Sequence, residues 1–197
     1  MKNIIERDNF AQEYENIDYS FTKFVDTEFS ECVFQKCNFS NASFENCQFL
    51  ECTFSNCDLS LMSVLNSTVS DTSFVECKIS GVDWTKASWE SLIIKPLRFE
   101  ASCLNGSSFY GLCLEKFIFQ ECQIKDTDFR EANLEQANFS SSDLKETLFI
   151  NTNLTKVNFS YAKNFDIDIR TNTIKGALFS RYDTFRLLNG LDIKLVD

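Results

Sequence analysis

The sequence predicts an all-β chain wound into one continuous solenoid, and three observations carry that prediction. Starting at Tyr19 and stepping by five, 29 successive positions up to Phe159 are apolar or aromatic, and 15 of them are Phe. Two residues before most of these centres stands a small side chain, as at Thr27, Cys32, Cys52, Ala132 and Ser142. The positions between are mainly Asn, Asp, Ser, Glu, Gln and Lys, the residues that water-exposed turns require. A period of five fits neither the 3.6 of a helix nor the two of a strand. It calls for a chain that turns a corner every five residues and aims each central side chain at a common axis.

Composition agrees. At 197 residues the chain fits one domain or two small ones, and 44 % apolar residues supply a core. Phe is over-represented at 21 copies beside 5 Gly and 1 Pro. Lys plus Arg total 19 against 29 Asp plus Glu, a net charge of -10. Such a surface repels nucleic acid and anionic membrane and attracts proteins that hold DNA. Neither an apolar signal core near the N-terminus nor an 18-residue apolar span is visible, so the expected compartment is the cytoplasm, with nine reduced Cys.

Taken in order, residues 1–16 read as an N-terminal cap, residues 17–179 as the repeat and residues 180–197 as a C-terminal helix and tail. Ile4, Ile5, Phe10, Tyr14 and Ile17 are available to cover the first open coil. The five-residue count never slips between Tyr19 and Phe159, which predicts a smooth rod without projecting loops. Bulky Met62, Val82, Leu92, Leu97, Leu112, Phe117 and Val157 occupy small slots, and Pro96 falls among them. A distorted coil is expected between Leu92 and Phe117. After Phe159 the pattern weakens, with Asn164 in a central slot, while Ile169, Ile174 and Phe179 suggest a last partial coil. Ser180 is the expected cap of a short helix over Arg181 to Asn189, with Gly190 after it. That helix needs a surface to cover.

The units Ala132-Asn133-Leu134-Glu135-Gln136, Ala137-Asn138-Phe139-Ser140-Ser141 and Ser142-Asp143-Leu144-Lys145-Glu146 resemble the A(D/N)LXX unit of the pentapeptide-repeat proteins. The resemblance covers about three quarters of the chain and implies a right-handed quadrilateral β-helix of 20 residues per coil. Seven coils at about 4.8 Å give a rod about 35 Å long. The chain looks most like the DNA-mimicking subgroup that protects type II topoisomerases from quinolones or a microcin. What this implies is binding to DNA gyrase and/or topoisomerase IV, and a homodimer through the C-terminal ends in which Phe185, Leu187, Leu188, Leu191 and Ile193 pair two copies. An interaction module with an unrelated partner is the alternative.

A 20-residue coil also sorts charge by side. The face centred on Phe29, Phe49, Val69, Trp89, Phe109, Phe129 and Phe149 carries Glu28, Glu31, Glu51, Asp71, Glu90, Asp128 and Glu131 against Arg130 alone. This is the expected partner-binding face. The next face, centred on Phe34, Phe54 and Phe74, sets Lys36, Lys95, Lys116 and Lys156 against Glu76, Glu115 and Glu135 and is near neutral.

The same stacking places Cys37, Cys57 and Cys77 in one column and Cys32 with Cys52 in another. In the small inward slot, and without any His, they read as core thiols rather than a metal site. The absence of His and of a glycine-rich phosphate loop removes the usual catalytic arrangements. No enzyme activity, cofactor or metal is expected.

Overall fold

In the computed structural model, which describes residues 5–89, 95–191 and 193, the chain is an all-β, right-handed quadrilateral β-helix ending in a short helical turn. Its strands are mostly three residues long and pair only in parallel, each with the strand one coil earlier and one coil later. Four faces recur in chain order. The first face starts at Asn9, the second at Tyr14, the third at Tyr19 and the fourth at Phe24.

The second face shows how the period becomes a core. Tyr14, Phe34, Phe54, Phe74, Phe99, Phe119, Phe139, Phe159 and Phe179 stack one per coil, with ring centroids 4.5 to 5.5 Å apart. Eight β-spacings make the rod about 38 Å long. Neighbouring faces meet edge to face, as Phe119 does with Phe109 at 5.7 Å and with Phe129 at 5.5 Å. Offset stacks along the axis and T-shaped contacts across it are the two favourable arrangements of aromatic rings.

The small slot has a second role beyond leaving room. Its hydroxyls and thiols donate to the carbonyl of a centre on the coil before: Ser102 Oγ to Phe74 O (3.1 Å), Thr127 Oγ1 to Leu104 O (3.1 Å) and Cys77 Sγ to Phe54 O (3.4 Å). The two Cys columns are present as expected, and Cys57 Sγ accepts from Cys37 N. Before the centre, Asp58, Asn138 and Asn158 accept from the N–H two residues on, at 2.9 to 3.0 Å, and brace the corner. Two residues after the centre, the corner residue lies in the left-handed region, at Glu31 (φ 55), Glu51 (φ 56) and Leu61 (φ 57), for example. Those corner N–H groups donate to the next coil, as Glu31 N does to Leu50 O at 2.9 Å. The ladder bond offsets the cost of the left-handed backbone.

Three features depart from the sequence expectation. First, the ladder starts before residue 17: Asp8–Phe10 pairs with Glu28–Ser30, and Glu13–Glu15 with Val33–Gln35. Asn9 serves as a polar centre because Glu6 N and Tyr14 Oη donate to its Oδ1 while its Nδ2 donates to Glu28 O.

Second, the rod is not an uninterrupted series of 20-residue coils. Phe54 pairs with Phe74, a step of 20, but Phe74 pairs with Phe99, a step of 25. Ser88 N still donates to Ser67 O, whereas Asp71 N reaches Lys95 O, so one surplus pentapeptide lies between Trp89 and Lys95. A surplus of one whole repeat leaves the five-residue count intact and is therefore silent in it. Beyond it the ladder is regular, with Phe99 stacked on Phe74 at 5.0 Å and on Phe119 at 5.3 Å, so among the described residues the distortion expected between Leu92 and Phe117 is absent: Leu97 and Phe117 are buried in the small-slot column, and Trp89 packs on Phe117 at 6.1 Å.

Third, the end of the rod is built differently. Phe165 and Ile167 turn inward after Asn164, while Phe179 stacks on Phe159 at 5.1 Å. The terminal helix is a 3-10 helix over Thr184–Leu191, so Gly190 lies within it. Ser180 does not cap it; its Oγ instead accepts from Tyr161 N at 2.7 Å, fastening the tail to the last coil.

Candidate partner-binding surface

The extra five residues rotate every later repeat by one face. Phe29, Phe49, Val69 and Trp89 lie on the first face, but that face continues through Leu114, Leu134, Leu154 and Ile174. Phe109, Phe129 and Phe149 follow Trp84 on the fourth face. The expected acidic residues are thus divided. Glu28, Glu31, Glu51 and Asp71 share the first face; Asp128 and Glu131 belong to the fourth; Glu90 lies outside the described residues.

Glu31, Glu51 and Asp71 form a column, one left-handed corner per coil. Like charges at that spacing repel, and the structure relieves part of this. Lys95, the first described residue after the surplus pentapeptide, lies on the same face, with Nζ 2.7 Å from Asp71 Oδ2 and 3.3 Å from Glu51 Oε1. Hydrogen bonds to these carboxylates, Asp71 first, raise the Lys95 pKa. Further down the same corner column stand Lys116 and Lys156. The first face is therefore acidic in its N-terminal half and near neutral in its C-terminal half, where Glu115 and Glu135 offset most of Lys116, Lys156 and Lys175.

On the fourth face, Arg130 clasps Asp128 through Nε (2.9 Å) and an amino group (2.7 Å) and lies over the Tyr110 ring at 5.7 Å. Burial pushes the Asp128 carboxyl up, but the hydrogen bonds from Arg130 outweigh it and hold it below the usual range. A hydrogen bond to Glu131 raises the Tyr110 hydroxyl. The second face adds Glu13, Glu15, Glu76, Glu100 and Glu121, and the third Asp18, Asp58, Asp126, Asp143 and Glu146. Negative charge is thus distributed around the rod.

In the tail, Phe185 and Ile193 are exposed, whereas Leu187, Leu188 and Leu191 are half-buried and Leu187 packs on the core. Leu178 and Tyr182 are exposed as well, at positions that no periodicity or motif singles out. Lys95 was assignable to the acidic column only by placing the surplus repeat. The sole proline, Pro96, and the bulky small-slot residues Leu97 and Phe117 were the available signals. Among the described residues no group of three or more Cys, Asp or Glu is placed to hold a metal ion, and no helix is long and apolar enough to cross a membrane.

A right-handed square coil whose inward positions recur every five residues defines a class, and the chain belongs to it: it is a member of the pentapeptide-repeat family. Family models described as pentapeptide repeat region and pentapeptide repeats (8 copies) match residues 27–109 and 132–163. The similar solved structures include QnrB1, a plasmid-mediated fluoroquinolone resistance protein, in three forms. A trypsin-treated variant is 18 % identical with a TM-score of 0.75, covering 96 % of this chain and 100 % of that one. A second trypsin-treated variant is 22 % identical with a TM-score of 0.68, covering 100 % and 95 %. Full-length QnrB1 is 20 % identical with a TM-score of 0.64, covering 94 % and 100 %. No curated protein sequence matches the chain.

Proposed function

We propose that the protein is a non-enzymatic DNA mimic that binds DNA gyrase and/or topoisomerase IV and modulates them or protects them from quinolones or related poisons. The observation that carries this reading is the end-to-end likeness to QnrB1 in a rod with a net charge of -10. A DNA-binding groove is basic over the length of the duplex it holds, and a rigid rod with carboxylates on every face offers it the same long-range attraction. The split of the expected acidic residues between two faces favours the whole rod, rather than one side, as the binding surface.

Two copies join through their C-terminal ends in this reading. Exposed Leu178, Tyr182 and Phe185 beside the last coil supply the apolar surface for that contact. The test is a supercoiling assay with purified gyrase titrated with the protein, with and without a quinolone. Inhibition or protection at micromolar protein is expected. The absence of both removes the proposal.

A further inference from the structure

The fourth face ends in a break. In the preceding coils the N–H of each centre on that face donates to the next coil: Trp84 N to Ser108 O (2.9 Å), Phe109 N to Asp128 O (2.8 Å) and Phe129 N to Leu148 O (3.0 Å). The corner leading into the face does the same, Asp126 N reaching Lys145 O at 3.1 Å. One coil further, Asn164 occupies a central slot, takes a left-handed conformation (φ 58) and hands the inward positions to Phe165 and Ile167. The chain leaves the ladder there and rejoins it where Asn151 N donates to Thr171 O at 3.0 Å. Among the described residues the N–H groups of Glu146 and Phe149 have no hydrogen-bond partner.

Between the two paths lies a cleft of about 480 Å³. Its lining joins two chemistries. Leu148 and Ile150 are exposed apolar side chains, and Asp126, Glu146 and Asp166 are carboxylates beside them. Asp126 and Asp166 have no ion-pair partner among the described residues, and Glu146 reaches only Lys145, at 3.6 Å. Asp168 also borders the cleft but is held by Arg170 at 2.7 Å; hydrogen bonds from that guanidinium bring its pKa down to about 2.

We propose that this cleft docks an extended basic segment of a partner protein. Backbone carbonyls of the segment accept from the Phe149 and Glu146 N–H groups, which restores two missing rungs by strand addition. The aliphatic stems of its Lys or Arg side chains cover Leu148 and Ile150, and their charged heads reach Asp126, Glu146 and Asp166. A neutral segment would leave the carboxylates unserved, and an acidic one would be repelled. The inference stands apart from the topoisomerase reading, since any protein presenting such a segment qualifies.

The test uses the full chain and a fluorescein-labelled Lys-Val-Arg-Val-Lys peptide as the probe, read by anisotropy. The double variant Asp126→Asn, Asp166→Asn should weaken binding about tenfold, the sum of two surface charge contacts. Asn is compatible with the left-handed backbone at position 126. The charge-matched double variant Glu76→Gln, Glu121→Gln, on the second face, should stay within about twofold. Amide exchange supplies an independent reading: the Phe149 N–H should exchange faster than that of Phe129 in the free protein and slow when the probe is added. Equal losses for the two double variants, no probe binding, or a Phe149 amide already as protected as Phe129 would overturn the proposal.

Discussion

Replacing Phe119 by Ala should cost the protein a large share of its stability. The ring is fully buried in the middle of the rod, stacked on Phe99 at 5.3 Å and on Phe139 at 4.7 Å, with Phe109 and Phe129 edge-on. Losing a buried Phe side chain costs about 3–5 kcal/mol in transfer and cavity terms. The upper half of that range applies here, because ladder bonds such as Phe119 N to Asn138 O (2.7 Å) fix the coil spacing and prevent collapse around the hole. Against a total stability of about 5–15 kcal/mol this is about a quarter or more. Phe179→Ala, at the half-buried end of the same stack, should cost only about 1–2 kcal/mol. Urea denaturation followed by Trp fluorescence and by far-UV circular dichroism gives both values. A Phe119→Ala cost below about 1.5 kcal/mol, or equal to that of Phe179→Ala, would refute the stacked-core reasoning.

Deleting residues 90–94 removes one whole repeat and should leave the fold and its denaturation midpoint nearly unchanged, whereas deleting four of the five shifts every later centre and should unfold the C-terminal half; matching midpoints for the two deletions would contradict the placement of the surplus. Val64→Ile should raise the melting temperature slightly, worth up to about 1 kcal/mol, by filling the small apolar void bordered by Phe44, Met62 and Trp84. A lower melting temperature would mean the void cannot take a methylene. Asp128 and Asp143 have depressed folded-state pKa values, since bonds from Arg130, and from Asn164 and Lys125, outweigh burial. Their contribution is full above about pH 4 and lost as pH falls through the folded values, so a carboxyl NMR titration should find both below the ordinary Asp value. Finding them at or above it would refute the assignment. Burial pushes the Cys52 and Cys122 thiols up to about 12, so at pH 8 a thiol reagent should label exposed Cys113 first and spare those two in the native state. Early labelling of Cys122 would count against a packed small slot.

The inward architecture was legible because it repeats every five residues: the Phe ladder, the small slots and the Asn and Asp corner braces stand where the count puts them. The sidedness was not. A face recurs every 20 residues, so one additional repeat turns all later carboxylates by a quarter of the square while leaving every local pattern unaltered. That is why Asp128 and Glu131 separate from Glu31, Glu51 and Asp71, and why Lys95 joins that column and relieves part of its repulsion. Asn9 does not stand out as a centre because its burial depends on partners at Glu6, Tyr14 and Glu28 that a hydropathy pattern does not display. Ser180 carries a sound capping signal, but a tertiary bond to Tyr161 N claims its hydroxyl. Near Asn164 the sequence announced a change without its form, since which of Phe165, Ile167 and Ile169 turns inward is decided by packing on Phe159 and Phe179.

The claim that the rod stands in for duplex DNA is tested most directly by competition. A fluorescent duplex bound to purified gyrase should be displaced as this protein is added, with anisotropy falling to that of free DNA and the displacement weakening as salt is raised. A duplex that stays bound while the protein joins it in a ternary complex, or that is unaffected at micromolar protein in low salt, would contradict the account.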